Sequence, residues 1–365
     1  MKALDIPRRR ARNSGLTDRP FGAPDEVVRH HLAMQAQDYG PAKWSIGQRS
    51  RGLVDEDVDR ALAEGSIIRT HVLRPTWHFV ARDDVRWLLE LTGPRVLKLL
   101  GPRHRELGLD VRTLSRCERV LGAALEGGNQ LTRKEAGDVL ARARIDIEGQ
   151  RLPHILSHCE LDTVICSGAL AGKQHTYALF DERVGKSLSL DRDEARAELV
   201  RRYLAAHGPA TVTDLRWWSG LTATDIRSGI HALGDGVESA TLDGVTLWFR
   251  EDASDRSSGG RGAHLLQTYD ELVVGYTESR FFGDPQADAA RAAWKQRDVP
   301  GGTVLVNDRA AGHWKRTLAR TGMTVEVMTY EPPSESRLRT IHASARDLGS
   351  FLGLPATVEM KASPS

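Results

Sequence analysis

The residue types that could do chemistry begin with Gln35-Ala36-Gln37-Asp38. A carboxamide accepts through oxygen and donates through nitrogen, so two of them can fix the position of a water, although neither is basic enough to deprotonate it. Spacing alone reads the pair more plainly, as polar residues at the solvated end of an amphipathic helix. Residues two apart on a regular helix point about 200° away from each other, so Gln35 and Gln37 share a site only if the helix loosens between them. Gly40-Pro41 just downstream favours such an ending. Asp38 then reaches the same space, as the stronger base if it rather than Gln37 faces the reacting atoms.

A second group has the chemistry of phosphate contact. Around Arg74-Pro75 the alternation of a hairpin puts Thr76 and His78 on one face and Trp77 and Phe79 on the other, with His71 on the facing strand. Lys173 and His175 occupy a second hairpin tip, Lys315 and Arg316 lie in the C-terminal region, and Arg49 ends a short turn from Trp44; each taken singly reads as a solvated charge. His154-x-x-x-His158 with Cys159 and Cys166 invites a metal test, but a supporting carboxylate has no candidate, so no metal and no cofactor are expected. Trp217-Trp218 reads as core packing rather than a base-stacking platform. Gly-rich phosphate loops, paired catalytic carboxylates and Ser-His-Asp arrangements are not evident.

Three times the sequence repeats a helix, a turn, a helix and a two-stranded hairpin, the plan of a winged helix. The first unit (1–105) opens with a helix over 24–38, on which Val28, Leu32 and Gln35 share a face, and ends with a helix from Asp83 that Gly93-Pro94 stops. The second (106–188) carries the capping box Thr132-x-x-Glu135 and a hairpin around Gly172-Lys173. The third (189–252) has helices near 191–206, 213–219 and 222–232 and a hairpin across Asp243-Gly244. The stretch 252–262, rich in Asp, Ser, Arg and Gly, is expected to be a mobile loop. The remainder (253–365) reads as a small α+β cap, with strands near 264–274, 303–306, 314 and 324–330 and a helix near 335–351. The fold class is therefore α+β.

The chain has 365 residues, 40% of them hydrophobic, enough for two or three cored domains. No stretch reaches the roughly 18 apolar residues of a bilayer span, and Arg8, Arg9, Arg10 and Arg12 take the place of a signal peptide's apolar core, so a cytoplasmic protein without membrane contact is expected. Three cysteines are too few to staple it. Of the 51 basic residues all but nine are arginine, which suits phosphate but also follows from a GC-rich genome.

Several phrases together make the chain resemble the winged-helix family of bacterial crosslink-repair DNA glycosylases, AlkZ and YcaQ among them. They are Gln35-Ala36-Gln37-Asp38, Thr70 to Val80, Gly208-Pro209-Ala210-Thr211 with Trp217 to Leu221, Leu265-Leu266 with Tyr269-Asp270-Glu271 and Gly275-Tyr276, and Gly312 to Arg316. The resemblance implies three winged helices forming a C-shaped channel for duplex DNA, and a catalytic pair at Gln35 and Gln37. Glutamine at the second position resembles the AlkZ branch, whose members remove N7-alkylated guanine and unhook interstrand crosslinks. In such a substrate the base is already cationic and leaves neutral, so no strong acid is required. A monomer that binds alkylated or crosslinked duplex DNA near the nucleoid follows, as general repair or as self-resistance to an alkylating natural product. A non-catalytic winged-helix transcriptional regulator is the competing expectation.

Overall fold

The computed structural model describes residues 5–250, 260, 262–295 and 301–361. Apart from Gly260 and Gly262, the loop expected over 252–262 lies outside them. The architecture is α+β: sheets of three, three and two strands follow one another along the chain, and a five-stranded sheet closes it.

In the first unit the helix Pro24–His31 starts on a proline with Asp25 and Glu26 in its first turn, and ends on Arg29, His30 and His31, all favourable to the helix dipole. It stops a full seven residues before the expected end at Asp38. Leu32 turns the chain at φ 67°, and Ala33–Gln35 continues as a strand. That strand lies on one edge of the order Ala33–Gln35, Arg74–Ala81, Ile67–Val72. The expected turn at Trp44 to Arg49 is largely a helix, Tyr39–Gly47, with Gly40 and Pro41 in its first turn, where proline is tolerated. Asp55–Glu64 ends on Gly65 at φ 77°, as its sequence requires. The helix from Arg82 does not stop at Gly93-Pro94 but runs to Glu106. A Cβ on Gly93 would lie 2.9 Å from the carbonyl of Leu161, so glycine lets the second unit close on this helix.

The second unit pairs helices Val111–Leu125 and Arg133–Arg142 with Arg151–Leu161 and a small sheet. Its capping box is reciprocal: the Glu135 amide donates to Thr132 Oγ1 at 3.3 Å and the Thr132 amide to Glu135 Oε2 at 2.8 Å. The third unit runs Arg192–His207, Val212–Ser219 and Ala223–Leu233, then the hairpin Glu238–Leu242 and Val245–Phe249 across Asp243 (φ 50°) and Gly244 (φ 77°). In the last sheet Ala356–Lys361, not anticipated from sequence, pairs parallel to Gly322–Thr329. The expected strand 264–274 shortens to Ala263–Leu266 and is followed by a one-turn helix, Glu271–Val274.

The cores do not follow the repeats. Leu32, Val80 and Trp87 of the first unit pack in one cluster with Leu199, Tyr203 and Trp218 of the third. Met34, Trp44 and Phe79 pack instead with Leu265, Val325 and Phe351 of the last sheet. The second unit keeps a cluster of its own around Cys117, Leu121 and Ile155. The strand carrying Gln35 therefore sits where two cores meet, which fixes its backbone from both sides.

Candidate active site

The strand ends at Gln35 and the chain bends at Gln37, so the opposition expected of a helix disappears, and both carboxamides accept from the strand Arg74–Ala81, at Arg74 and Trp77. Gln35 is paired opposite His78, and the Ala36 amide donates to the Trp77 carbonyl at 2.7 Å. Gln37 is exposed, with its Oε1 accepting from the Trp77 amide at 3.3 Å. Gln35 is 9% exposed, and its Oε1 accepts from Arg74 Nη2 at 3.1 Å. A carbonyl oxygen holds two lone pairs, so each carboxamide keeps an acceptor and its NH2 group for a water.

Beneath the pair lies Glu271. Its Oε1 accepts from the Gln35 backbone amide at 2.7 Å, and its Oε2 from Trp218 Nε1 at 2.9 Å and His207 Nε2 at 3.3 Å. Burial pushes its carboxyl up, but His207, the Gln35 amide and nearby His78 together hold it below the usual carboxylate range, so it is anionic. Burial lowers the Arg74 guanidinium while Glu271 and Tyr203 oppose the shift; an arginine stays cationic regardless.

In front of Gln35 opens a cavity of about 590 Å³ between the first and third units, lined by Arg74, Pro75, Thr76, Arg95 and Leu99 on one side and Thr213, Arg216, Trp217, Gly220 and Leu221 on the other. The two tryptophans expected to share the core divide: Trp218 is buried, whereas Trp217 is 48% exposed at the cavity wall with the Arg74 guanidinium 5.5 Å from its ring centre. Three arginines, an exposed indole and the Gln35 amide around one opening suit a polyanion carrying planar bases.

Other sequence candidates fall elsewhere. Arg49 is 0% exposed and grips Asp270 with two bonds of 2.7 and 2.8 Å, so it ties the first unit to the last sheet and cannot meet DNA. His71 is buried on Glu160, and His78 is fully buried with its pKa pushed down to about 3, chiefly by burial; neither ring is exposed to meet phosphate. Arg74 is half-buried at Gln35 rather than at a free tip. Thr76 lines the cavity, its buried hydroxyl without a partner. Lys173 is exposed at its turn, while His175 packs edge-on against Tyr39, ring centres 4.6 Å apart. Lys315 pairs with Glu326 at 3.2 Å, and Arg316 lies half-buried within the field of Asp55 and Asp38. Asp38 is exposed and precedes the helix Tyr39–Gly47 without capping it. His154, His158, Cys159 and Cys166 do not converge: Cys159 and Cys166 are core residues whose thiols burial pushes up, while His158 bonds Glu118 at 2.7 Å. Sequence reasoning missed Arg95, Arg216 and the role of Glu271.

Comparison with known proteins first gives the class, enzymes that remove bases from DNA. The model of the family described as "DNA glycosylase AlkZ-like" matches residues 28–351, a span that takes in Gln35, Gln37, Trp217 and Glu271. The chain belongs to the AlkZ-like DNA glycosylase family. An interstrand DNA cross-link repair glycosylase of Streptomyces sahachiroi is 23% identical over 273 residues, covering 71% of this chain and 73% of that protein. The solved structure of the Streptomyces sahachiroi DNA glycosylase AlkZ superposes with a TM-score of 0.79 at 21% identity, over 98% of this chain and 100% of the other. Among the described residues no helix is long and apolar enough to cross a membrane.

Proposed function

We propose that this DNA glycosylase is monofunctional, hydrolysing the N-glycosidic bond of N7-alkylated purines in duplex DNA and unhooking bulky or interstrand-crosslink adducts. The observation that carries this reading is that the Gln35 and Gln37 carboxamides both bond to the strand Arg74–Ala81, with Gln35 at a cavity lined by Arg74, Arg95 and Arg216. The amides hold a water toward C1′ on the face opposite the base; the departing base is already cationic and needs no proton. No lysine is among the described residues lining the cavity, so no amine is in place to form a covalent adduct with the sugar. The crosslink substrate named for the Streptomyces sahachiroi relative suits an opening this wide.

On this reading the three repeated units, 1–105, 106–188 and 189–252, are winged helices around a duplex channel closed by the cap 253–365, and the protein works as a monomer at the nucleoid. The strand-helix order of each unit and the likeness to AlkZ support it. Membership of a glycosylase family weighs against the transcriptional regulator.

The test is release of 7-methylguanine from alkylated duplex DNA by wild type and Gln37→Ala, with duplex affinity measured alongside. Loss of release by about 100-fold at unchanged affinity is expected of a residue that acts on the water. Undiminished release by the variant overturns the amide mechanism, and no release by wild type overturns the substrate.

A further inference from the structure

The proposed pair is neutral, yet the sugar it serves becomes cationic as the base departs. The charged side chain bonded to the Gln35 carboxamide is Arg74, whose positive sign disfavours that state. The structure supplies a counterweight. Glu271 is 1% exposed, and its two oxygens accept from the Gln35 amide, the Trp218 indole and His207. Burying a carboxylate is costly unless its lone pairs are filled, and here three donors fill them. The field of this carboxylate reaches both Arg74 and His78. His78 is no cation at neutral pH, since burial brings it down to about 3. Of the two charged side chains bonded to Gln35 itself, one is positive, Arg74, and one negative, Glu271: the first holds its side chain and the second its backbone.

We infer that Glu271 is a positioning residue for base excision, which holds Gln35 in its extended geometry and offsets the charge of Arg74, so that the guanidinium bonded to Gln35 opposes the cationic sugar less. This rests on the reading of Gln35 and Gln37 as the water-holding pair. Arg74 thereby fixes the Gln35 amide at a smaller penalty to the transition state. A carboxylate placed directly against the sugar would risk attacking it; one held behind the backbone contributes only its field.

The experiment compares binding of two duplexes, one carrying a pyrrolidine abasic analogue, whose ring nitrogen is protonated, and one carrying its neutral tetrahydrofuran counterpart. Wild type is expected to prefer the cationic analogue, and Glu271→Gln to lose about 10-fold of that preference while binding the tetrahydrofuran duplex as before. A purely structural role would weaken both duplexes alike, and that result, or an unchanged preference, overturns the inference. Should Glu271→Gln fail to fold, Arg74→Gln with Glu271 intact must raise the preference for the cationic analogue; a preference that stays or falls overturns it equally. Gln37→Ala is assayed for 7-methylguanine release in parallel. If that variant is inactive while Glu271→Gln keeps its preference and full release, the inference alone fails; if Gln37→Ala is fully active, the amide reading fails and takes this one with it.

Discussion

An exposed indole beside three guanidinium groups is an expensive thing to leave in water unless something stacks on it. Trp217 has its ring edge anchored by a bond from Nε1 to the Val274 carbonyl at 3.2 Å, which fixes the plane without covering it. Stacking of a base on such a ring contributes about 1–3 kcal/mol, so Trp217→Ala is expected to weaken duplex binding about 10-fold, with thermal stability little changed because half the ring is already in solvent. Titration of a labelled duplex checks it, and unaltered affinity would show that the indole serves packing alone. Sequence made the Gln pair legible because its phrase is short and contiguous, and left Glu271 unread because the bond joining it to Gln35 spans 236 residues. Arg49 misled for the opposite reason. An arginine is usually solvated, and only the distant Asp270 makes its full burial tolerable.

Among the elements, what was legible had a local cause. The capping box at Thr132 and the Asp243-Gly244 turn are each specified within a few residues, and each is found where the sequence put it. The first helix was drawn too long because its apolar period continues through Leu32 to Gln35, while the turn at Leu32 needs a positive φ that no leucine announces. The seam that shapes the cavity depends on a comparable detail. Gly220 caps the helix Val212–Ser219 at φ 70°, and a Cβ there would sit 2.2 Å from the Leu73 carbonyl, at the turn leading into Arg74. Gly220→Ala therefore incurs both the left-handed strain of about 1 kcal/mol and a backbone clash that pushes the third unit off the first. A fall in melting temperature accompanied by loss of base release is expected from calorimetry and the excision assay; a variant with wild-type melting and turnover would mean the seam is looser than drawn.

At the scale of the whole molecule, the seams between units are where buried imidazoles collect. His31 packs against His207 with ring centres 5.3 Å apart and His78 is paired opposite Gln35; His31 and His78 are both 0% exposed, and His104 sits at the end of the helix that receives the second unit. Burial, ahead of every other cause, drives His31 well below its ordinary value, His78 to about 3 and His104 and His264 to about 4. Nothing in the repeat of helix and hairpin could announce these seams, because their partners are far apart in sequence. The sign of the pH effect follows from the direction of the shifts. A histidine neutral in the fold and free to protonate at about 6.5 in the unfolded chain costs nothing above that pH, where both states are neutral. Below it the unfolded chain gains protons that the fold refuses, and each such residue removes about 1.4 kcal/mol per pH unit down to its folded pKa. Melting temperature is thus expected to hold steady above pH of about 6.5 and to fall steeply on the way to about 4.5, well before most carboxylates titrate. His78→Asn, which cannot protonate, should flatten that slope by about one histidine's share. Melts recorded across this range decide the matter: a curve level down to pH of about 5 would mean that these rings take up protons inside the fold, and that the seams admit water which their burial denies.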